Sequence, residues 1–302
     1  MIKIQRRPWF RSNFQLRGSV VPIILERSLF FALFGLLVCI LYEFDYPVAQ
    51  PILGNVIPSI VLALLLVFRT NTAYDRFWEG RKLWGMTVNI SQNLTWQIWT
   101  GIKETTPQTR KGKIAALRLI AALAIAKKLY LRRERPDPEL TNWLSPSQYQ
   151  YLSHVQNMPL EMSYWLANYL QKQFEQGNLN IYQLTNLQQL IQNYLDNVGG
   201  CNRIVRTPIP LAYSILLKQL IFLYCLLIPF QFVQELGWFT GIFMAIISFS
   251  LFGIEEIGLQ IENPFGYDPN DLPLDTICQN IGRDIEEFIN NQNRKLIKKR
   301  IE

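Results

Sequence analysis

Ile52–Gly85 reads ILGNVIPSIVLALLLVFRTNTAYDRFWEGRKLWG, and its two halves obey different rules. From Ile52 to Phe68 no residue is charged. At ~1.5 Å of rise per residue, a helix over that run crosses most of a bilayer. Arg69, Asp75, Arg76, Glu79, Arg81 and Lys82 then arrive together, interleaved with Tyr74, Phe77, Trp78 and Trp84. No loop signal separates the halves. The pattern predicts one helix that leaves the membrane and continues into water. Its aromatic residues belong at the interface and its basic residues on the cytoplasmic side.

The rest of the chain can be arranged around that helix. Of the 302 residues, 49% are hydrophobic and 13% aromatic, yet mean hydropathy is only slightly positive. Such a balance fits a protein that is part embedded and part aqueous. The net charge of +7 suits either nucleic acid or the anionic inner leaflet. Many Lys and Arg residues flank apolar runs, which favours the membrane and argues against a nucleic-acid partner. The four cysteines include no CxxC pair, so neither a disulfide framework nor a zinc site is expected. His154 is the only histidine, with no nucleophile motif beside it. There is no GxGxxG, P-loop or zinc-helix motif, and an enzyme has no reactive constellation to rest on. No cleavable signal peptide is visible, because Glu43 and Asp45, not small residues, follow the first apolar run.

Residues 1–27 carry Lys3, Arg6, Arg7, Arg11, Arg17 and Arg27 with Trp9, Phe10 and Phe14 between them. They read as a basic segment lying on the cytoplasmic membrane face. Spans are expected at about 28–46, 52–68, 211–233 and 237–254. Pro58 is expected to kink the second and Pro229 the third. Lys218 and Gln219 interrupt the third early, which puts its first turns in water or in a protein-lined vestibule. Charge asymmetry around the first turn places both termini inside. The aqueous part, about 71–205 and 257–302, reads as mainly helical, with a Pro- and Asn-rich acidic segment over Ile257–Asp275 and a charged terminal helix over Asp284–Glu302. Asn71 to about Thr105 forms one helix, broken by Thr106-Pro107-Gln108. Lys113–Arg133 has the apolar spacing of an amphipathic helix, with Lys127 and Lys128 on its polar side. Arg135–Pro138 is a linker, Ser145-Pro146 starts a helix, and Glu161–Glu175 and Tyr182–Val198 are further helices. Gly199-Gly200 is expected to end the last of these. The fold class is therefore an all-α membrane protein with four transmembrane helices and a cytosolic helical region.

Three stretches resemble the bestrophin family of ion channels. They are Arg17-Gly18-Ser19; FRTNTAYDRFWEGR over Phe68–Arg81 with Trp84-Gly85; and ENPFGYDPND over Glu262–Asp271. The resemblance covers nearly the whole chain and is nearest to the prokaryotic and plastid branches. It implies a homopentamer around one central pore, in a bacterial inner membrane or a thylakoid-type membrane. It also implies a hydrophobic neck on the second helix, where Ile60, Leu64 and Phe68 match the family's i, i+4, i+8 spacing. Three apolar rings of this kind can gate by dewetting. The bland alternative is that these residues pack against helices or lipid.

A second, cytosolic constriction is implied near Gly199–Val205, with Ile204 as the apolar candidate. The loop at 263–271 resembles the calcium clasp of animal members. Asp268 and Asp271 match its carboxylates, and Gln260 and Asn263 its carbonyl donors. Pro269 and Asn270 depart from the unbroken acidic run there, and the two aspartates also suit a turn and an N-cap. No cofactor is required, and calcium is optional. Glu255 and Glu256 read as structural partners of Arg17, Arg27 or a neighbouring subunit's basic residue, with the lining of an ion path as the alternative. The permeant ion is expected to be chloride or another small anion, helped by Arg69 and by the N-terminus of the helix opened by Pro208 and Pro210. A sodium-permeable pore and a non-conducting membrane scaffold are the alternatives.

Overall fold

A computed structural model describes residues 15–16, 18–50 and 56–301, omitting the side chains of 56 and 295–301. The basic segment before Gln15, and Arg17, lie outside the described residues. In chain order the helices are α1 (Val21–Glu43), α2 (Val56–Gly101), α3 (Pro107–Arg132), α4 (Pro146–Leu152), α5 (Met158–Glu175), α6 (Ile181–Arg206), α7 (Leu211–Leu236), α8 (Thr240–Glu262) and α9 (Leu274–Ile301). Short 3-10 turns sit at Pro138–Asn142 and Gly237–Phe239. No strand occurs among the described residues. Three helical stretches are long and apolar enough to cross a membrane: Val21–Glu43, Ile57–Gly101 and Leu211–Glu262. The third contains α7 and α8.

The chain packs as two compact units. One runs to Phe77 and resumes over Pro208–Asp271; the other is Trp78–Thr207 with Leu272–Glu302. Both contain part of α2.

In the first unit α7 and α8 form a hairpin, and α1 packs against both. The hairpin is antiparallel, because the Ile209 N–H at the start of α7 donates to Glu262 Oε1 at the end of α8, at 2.9 Å. Phe31, Leu62, Leu66, Leu217, Ile221, Cys225 and Met244 fill the space between helices. Among lipid tails such contacts gain little from the hydrophobic effect, so close fit must supply the attraction. Gly35 and Gly241 provide it. A Cβ on Gly241 would lie 2.5 Å from Leu36 Cγ, and one on Gly35 would lie 2.8 Å from Met244 Cγ.

Several boundaries differ from the sequence reading. The helix of α1 starts at Val21 and stops at Glu43, ahead of Asp45 at φ +59°. Pro58 lies in the first turn of α2, which begins at Val56. There its missing N–H would have had no helical partner anyway, and no kink is needed. Pro229, by contrast, is interior to α7. The expected break at Thr106-Pro107 is also a helix start. Thr106 caps α3 by accepting from the Thr109 N–H at 3.2 Å, with Pro107 following.

In the second unit α3 is the central helix, packed against α5, α6 and α9. It is not amphipathic in the expected sense. Lys113, Lys127 and Lys128 are all buried along with its apolar residues. Ser145 starts α4 with a reciprocal cap involving Gln148, as the sequence suggested. Gly199-Gly200 does not end α6, which continues to Arg206. A Cβ on Gly200 would meet Leu83 at 3.1 Å, so glycine serves there to bring α2 close.

Candidate functional site

Within the first unit α2 has a packed face and a bare one. Leu62, Leu66, Arg69 and Ala73 point inward and are buried. Their spacing of four, three and four residues is one side of an α-helix. The opposite side carries Ile60, Leu64 and Phe68, which are 54%, 52% and 61% exposed. Ile57, Val61 and Val67 widen this stripe and are exposed too. An apolar face of this width needs a covering of lipid, another chain or a pore axis. The candidate neck residues therefore share one bare face.

Arg69 is elsewhere. It is 1% exposed. Its Nη1 donates to Ser214 Oγ at 2.8 Å and its Nη2 to Glu262 Oε2 at 3.2 Å. A guanidinium buried in its own protomer stays buried in any assembly, so Arg69 does not line an ion path. Its role is to hold α2 against the mouth of the α7–α8 hairpin. Arg76 adds a second tie, donating from Nε to the Glu262 carbonyl at 3.0 Å. Tyr213 adds a third, donating to the Leu65 carbonyl at 2.6 Å. Glu262 thus serves both α2 and the backbone of Ile209, a role the sequence did not indicate. The sequence marked Glu262 only as the first residue of ENPFGYDPND.

The loop after α8 closes on itself. The Asp268 N–H donates to Asp271 Oδ2 at 2.8 Å, and the Asp271 N–H returns to the Asp268 carbonyl at 2.9 Å. The Asn270 amide donates to Gln260 Oε1 at 2.8 Å and to the Gly18 carbonyl at 3.3 Å. A Cβ on Gly266 would come within 2.8 Å of Asp271 Oδ2 and 3.6 Å of the Asn263 amide nitrogen. The loop therefore brings Asp268, Asp271, Gln260 and Asn263 into one neighbourhood. However, it already spends a carboxylate oxygen of Asp271 and the side-chain oxygen of Gln260 on its own donors. Calcium takes six to eight oxygens, and no group of three or more metal-ligating side chains of His, Cys, Asp or Glu occurs among the described residues. The loop offers two carboxylates, and any further oxygens for an ion would come from backbone carbonyls and water.

Ile204 is 3% exposed, inside the second unit. A side chain already packed in its own protomer cannot face an aperture, and this burial removes it from the constriction. Arg203 and Arg206 are exposed on the same turns of α6, and Arg203 reaches Glu79 Oε1 at 2.7 Å.

Deeper in that unit Lys127 is fully buried without a carboxylate. Its Nζ donates to Thr87 Oγ1 at 2.7 Å and Asn197 Oδ1 at 2.9 Å, and lies 4.7 Å from the centre of the Trp84 ring. Burial holds its pKa below the ordinary lysine value. Lys128 differs. Burial pulls its pKa down as well, but hydrogen bonds to Asp275 and Glu139 outweigh that and raise it. Lys113 Nζ caps the far end of α2, donating to the Trp99 and Ile102 carbonyls at 2.7 and 3.0 Å. His154 is an exposed residue beyond α4.

The model of the bacterial and fungal bestrophin family matches residues 1–287. A protein of Nostoc sp. named a voltage-dependent anion channel-forming protein is 56% identical, over 94% of this chain and 93% of its own. A Synechocystis protein of the same name is 49% identical, over 94% and 92%. A crystal structure of a bacterial bestrophin homologue from Klebsiella pneumoniae superposes with a TM-score of 0.78, at 24% identity, over 87% of this chain and 97% of that one. That last likeness is one of fold.

Proposed function

We propose, since the chain belongs to the bacterial and fungal bestrophin family, that it is a homopentameric channel passing chloride and other small anions. It is a channel, not an enzyme. The observation that carries this is the bare stripe Ile60–Leu64–Phe68, half-exposed beside a fully packed opposite face. Gathered around one axis, these side chains would stack as three apolar rings, narrow enough to empty of water when closed. Arg69 is no part of the path, since Glu262 takes up its charge. The anion preference rests on the names of the two cyanobacterial relatives and on the N-terminal dipole of α7.

On this reading the chain crosses the membrane four times, by α1, the first part of α2, α7 and α8, with both termini in the cytoplasm. The bilayer is a bacterial inner membrane or a thylakoid-type membrane. Calcium is not needed for conduction. If the 263–271 loop takes the ion, Asp268 and Asp271 supply the carboxylates and Gln260 and Asn263 the carbonyl oxygens.

The test is the reversal potential of purified protein in planar bilayers across a potassium chloride gradient, with and without calcium. A value near the chloride equilibrium potential supports the proposal. A value near that of the cation overturns the anion assignment in favour of a cation pore on the same fold. Absence of current in both conditions sinks the channel reading and leaves a membrane scaffold.

A further inference from the structure

Phe222 and Phe252 form, with Phe31, an aromatic wall in the first unit. Phe31 lies 5.7 Å from each of them, centroid to centroid. In front of the wall is a crevice of about 350 Å³, lined also by Arg27 of α1, Lys218 of α7 and Glu255 of α8. This crevice is at the end of the helices where the charges collect.

The charged groups are arranged unequally. Glu255 is buried, with its side chain 3% exposed, while Arg27 and Lys218 are 47% and 57% exposed. Arg27 Nη1 lies 3.9 Å from Glu255 Oε2 and 3.6 Å from Glu256 Oε2, and Lys218 Nζ lies 4.0 Å from Glu255 Oε1. These separations are ion pairs but too long for hydrogen bonds. Glu255 Oε1 has no hydrogen-bond partner. The carboxylates hold the two cations in place from behind and leave their N–H donors unspent in front. Lysine in an otherwise apolar helix is costly unless its head meets something polar.

We propose that this crevice binds one anionic phospholipid. The phosphate sits between Arg27 and Lys218, within reach of their open donors. An acyl chain runs down the Phe222–Phe252 wall. Charge complementarity chooses the headgroup, since both groups at the mouth are cationic. The aromatic wall chooses a lipid over a soluble anion. The inference rests on the chain spanning a membrane, not on conduction.

The experiment is native mass spectrometry of the full-length protein in detergent, after delipidation and titration with phosphatidylglycerol or phosphatidylcholine. Phosphatidylglycerol should be retained at one lipid per protomer, at least about threefold above phosphatidylcholine. Lys218→Gln, exposed and held by one long contact, should fold normally and remove that preference. Arg27→Gln should do the same, and its circular dichroism separates lost binding from lost folding. Phe222→Ser should weaken retention of both lipids. Equal retention of the two lipids by the unaltered protein would overturn the site, as would full retention by Lys218→Gln. So would displacement by millimolar inorganic phosphate alone, which would mark a simple anion site. A channel that carries no current can still pass this test.

Discussion

Arg69 shows how a charge beside a pore-like stripe can be structural. It has two fixed partners, and the acidic one is 193 residues away in sequence. Nothing local in FRTNTAYD reveals that Glu262 will meet it, so its position past the neck suggested an ion path. Arg69→Met should leave Glu262 without its ion-pair partner next to apolar helices and cost about 3–5 kcal/mol. The unfolding temperature in detergent reads this out, and an unchanged value would dismiss the tie. Lys127 is the second residue that composition hid, because adjacent lysines read as a polar face. Its pKa is lowered by burial. Between that value and the ordinary lysine pKa, the unfolded chain binds a proton that the folded chain does not, so stability rises with pH through this window. Lys127→Met removes the term while leaving Lys113 and Lys128 untouched. As pH rises toward the ordinary lysine pKa, the unaltered protein should therefore gain thermal stability relative to Lys127→Met. A constant difference would mean that Lys127 is not held in the way its burial implies.

At the scale of elements, the existence of each helix was legible and its ends were not. Apolar runs announced α1, the first part of α2, α7 and α8, and Ser145-Pro146 announced α4, whose cap pairs Ser145 with Gln148. Proline and glycine misled, because each has more than one use. Pro58 and Pro107 sit in first turns, where a proline is harmless. Gly200 is inside α6 because Leu83 needs its space. The same geometry separates two substitutions. Gly241→Ala puts a methyl 2.5 Å from Leu36 Cγ and 3.2 Å from the Ala32 carbonyl, and should destabilise by about 1–3 kcal/mol. Gly199→Ala meets nothing within 4 Å inside a helix, and should stabilise by up to about 1 kcal/mol. Thermal unfolding of the two variants decides it, and equal shifts would contradict the packing described. On α2 the resemblance picked out Ile60, Leu64 and Phe68 by the family's spacing, and they share one face because a helix turns nearly once in four residues. Leu64→Ala and Phe68→Ala should each alter single-channel conductance or ion selectivity with little change in unfolding temperature. Unaltered currents in both would take the neck away from this face.

For the whole molecule, the number of subunits is the quantity that joins residue to function. A single protomer exposes Ile57, Ile60, Leu64 and Phe68 along one helix, and on the proposed reading copies of the chain around an axis cover that stripe. Native mass spectrometry of the detergent complex should give five times the 35.3 kDa of the chain. A monomer or dimer mass would end the central-pore reading. The sequence reading set about 71–205 and 257–302 apart from the apolar runs, but not the contacts that join segments so far apart in the chain into the unit Trp78–Thr207 with Leu272–Glu302. Contacts such as Lys128 with Asp275, 147 residues apart, leave no trace in local composition.

The bare face of α2 also bears on how such a protein changes over generations. Folding within the protomer tests Leu62, Leu66 and Arg69 stringently, because each is enclosed. It barely tests Ile60, Leu64 and Phe68. Exchanges at those positions escape the filter that removes unfolded variants, so if they form the neck proposed above, permeation drifts while the scaffold is kept. A library randomised at these positions alone should be rich in folded members that differ in what they pass.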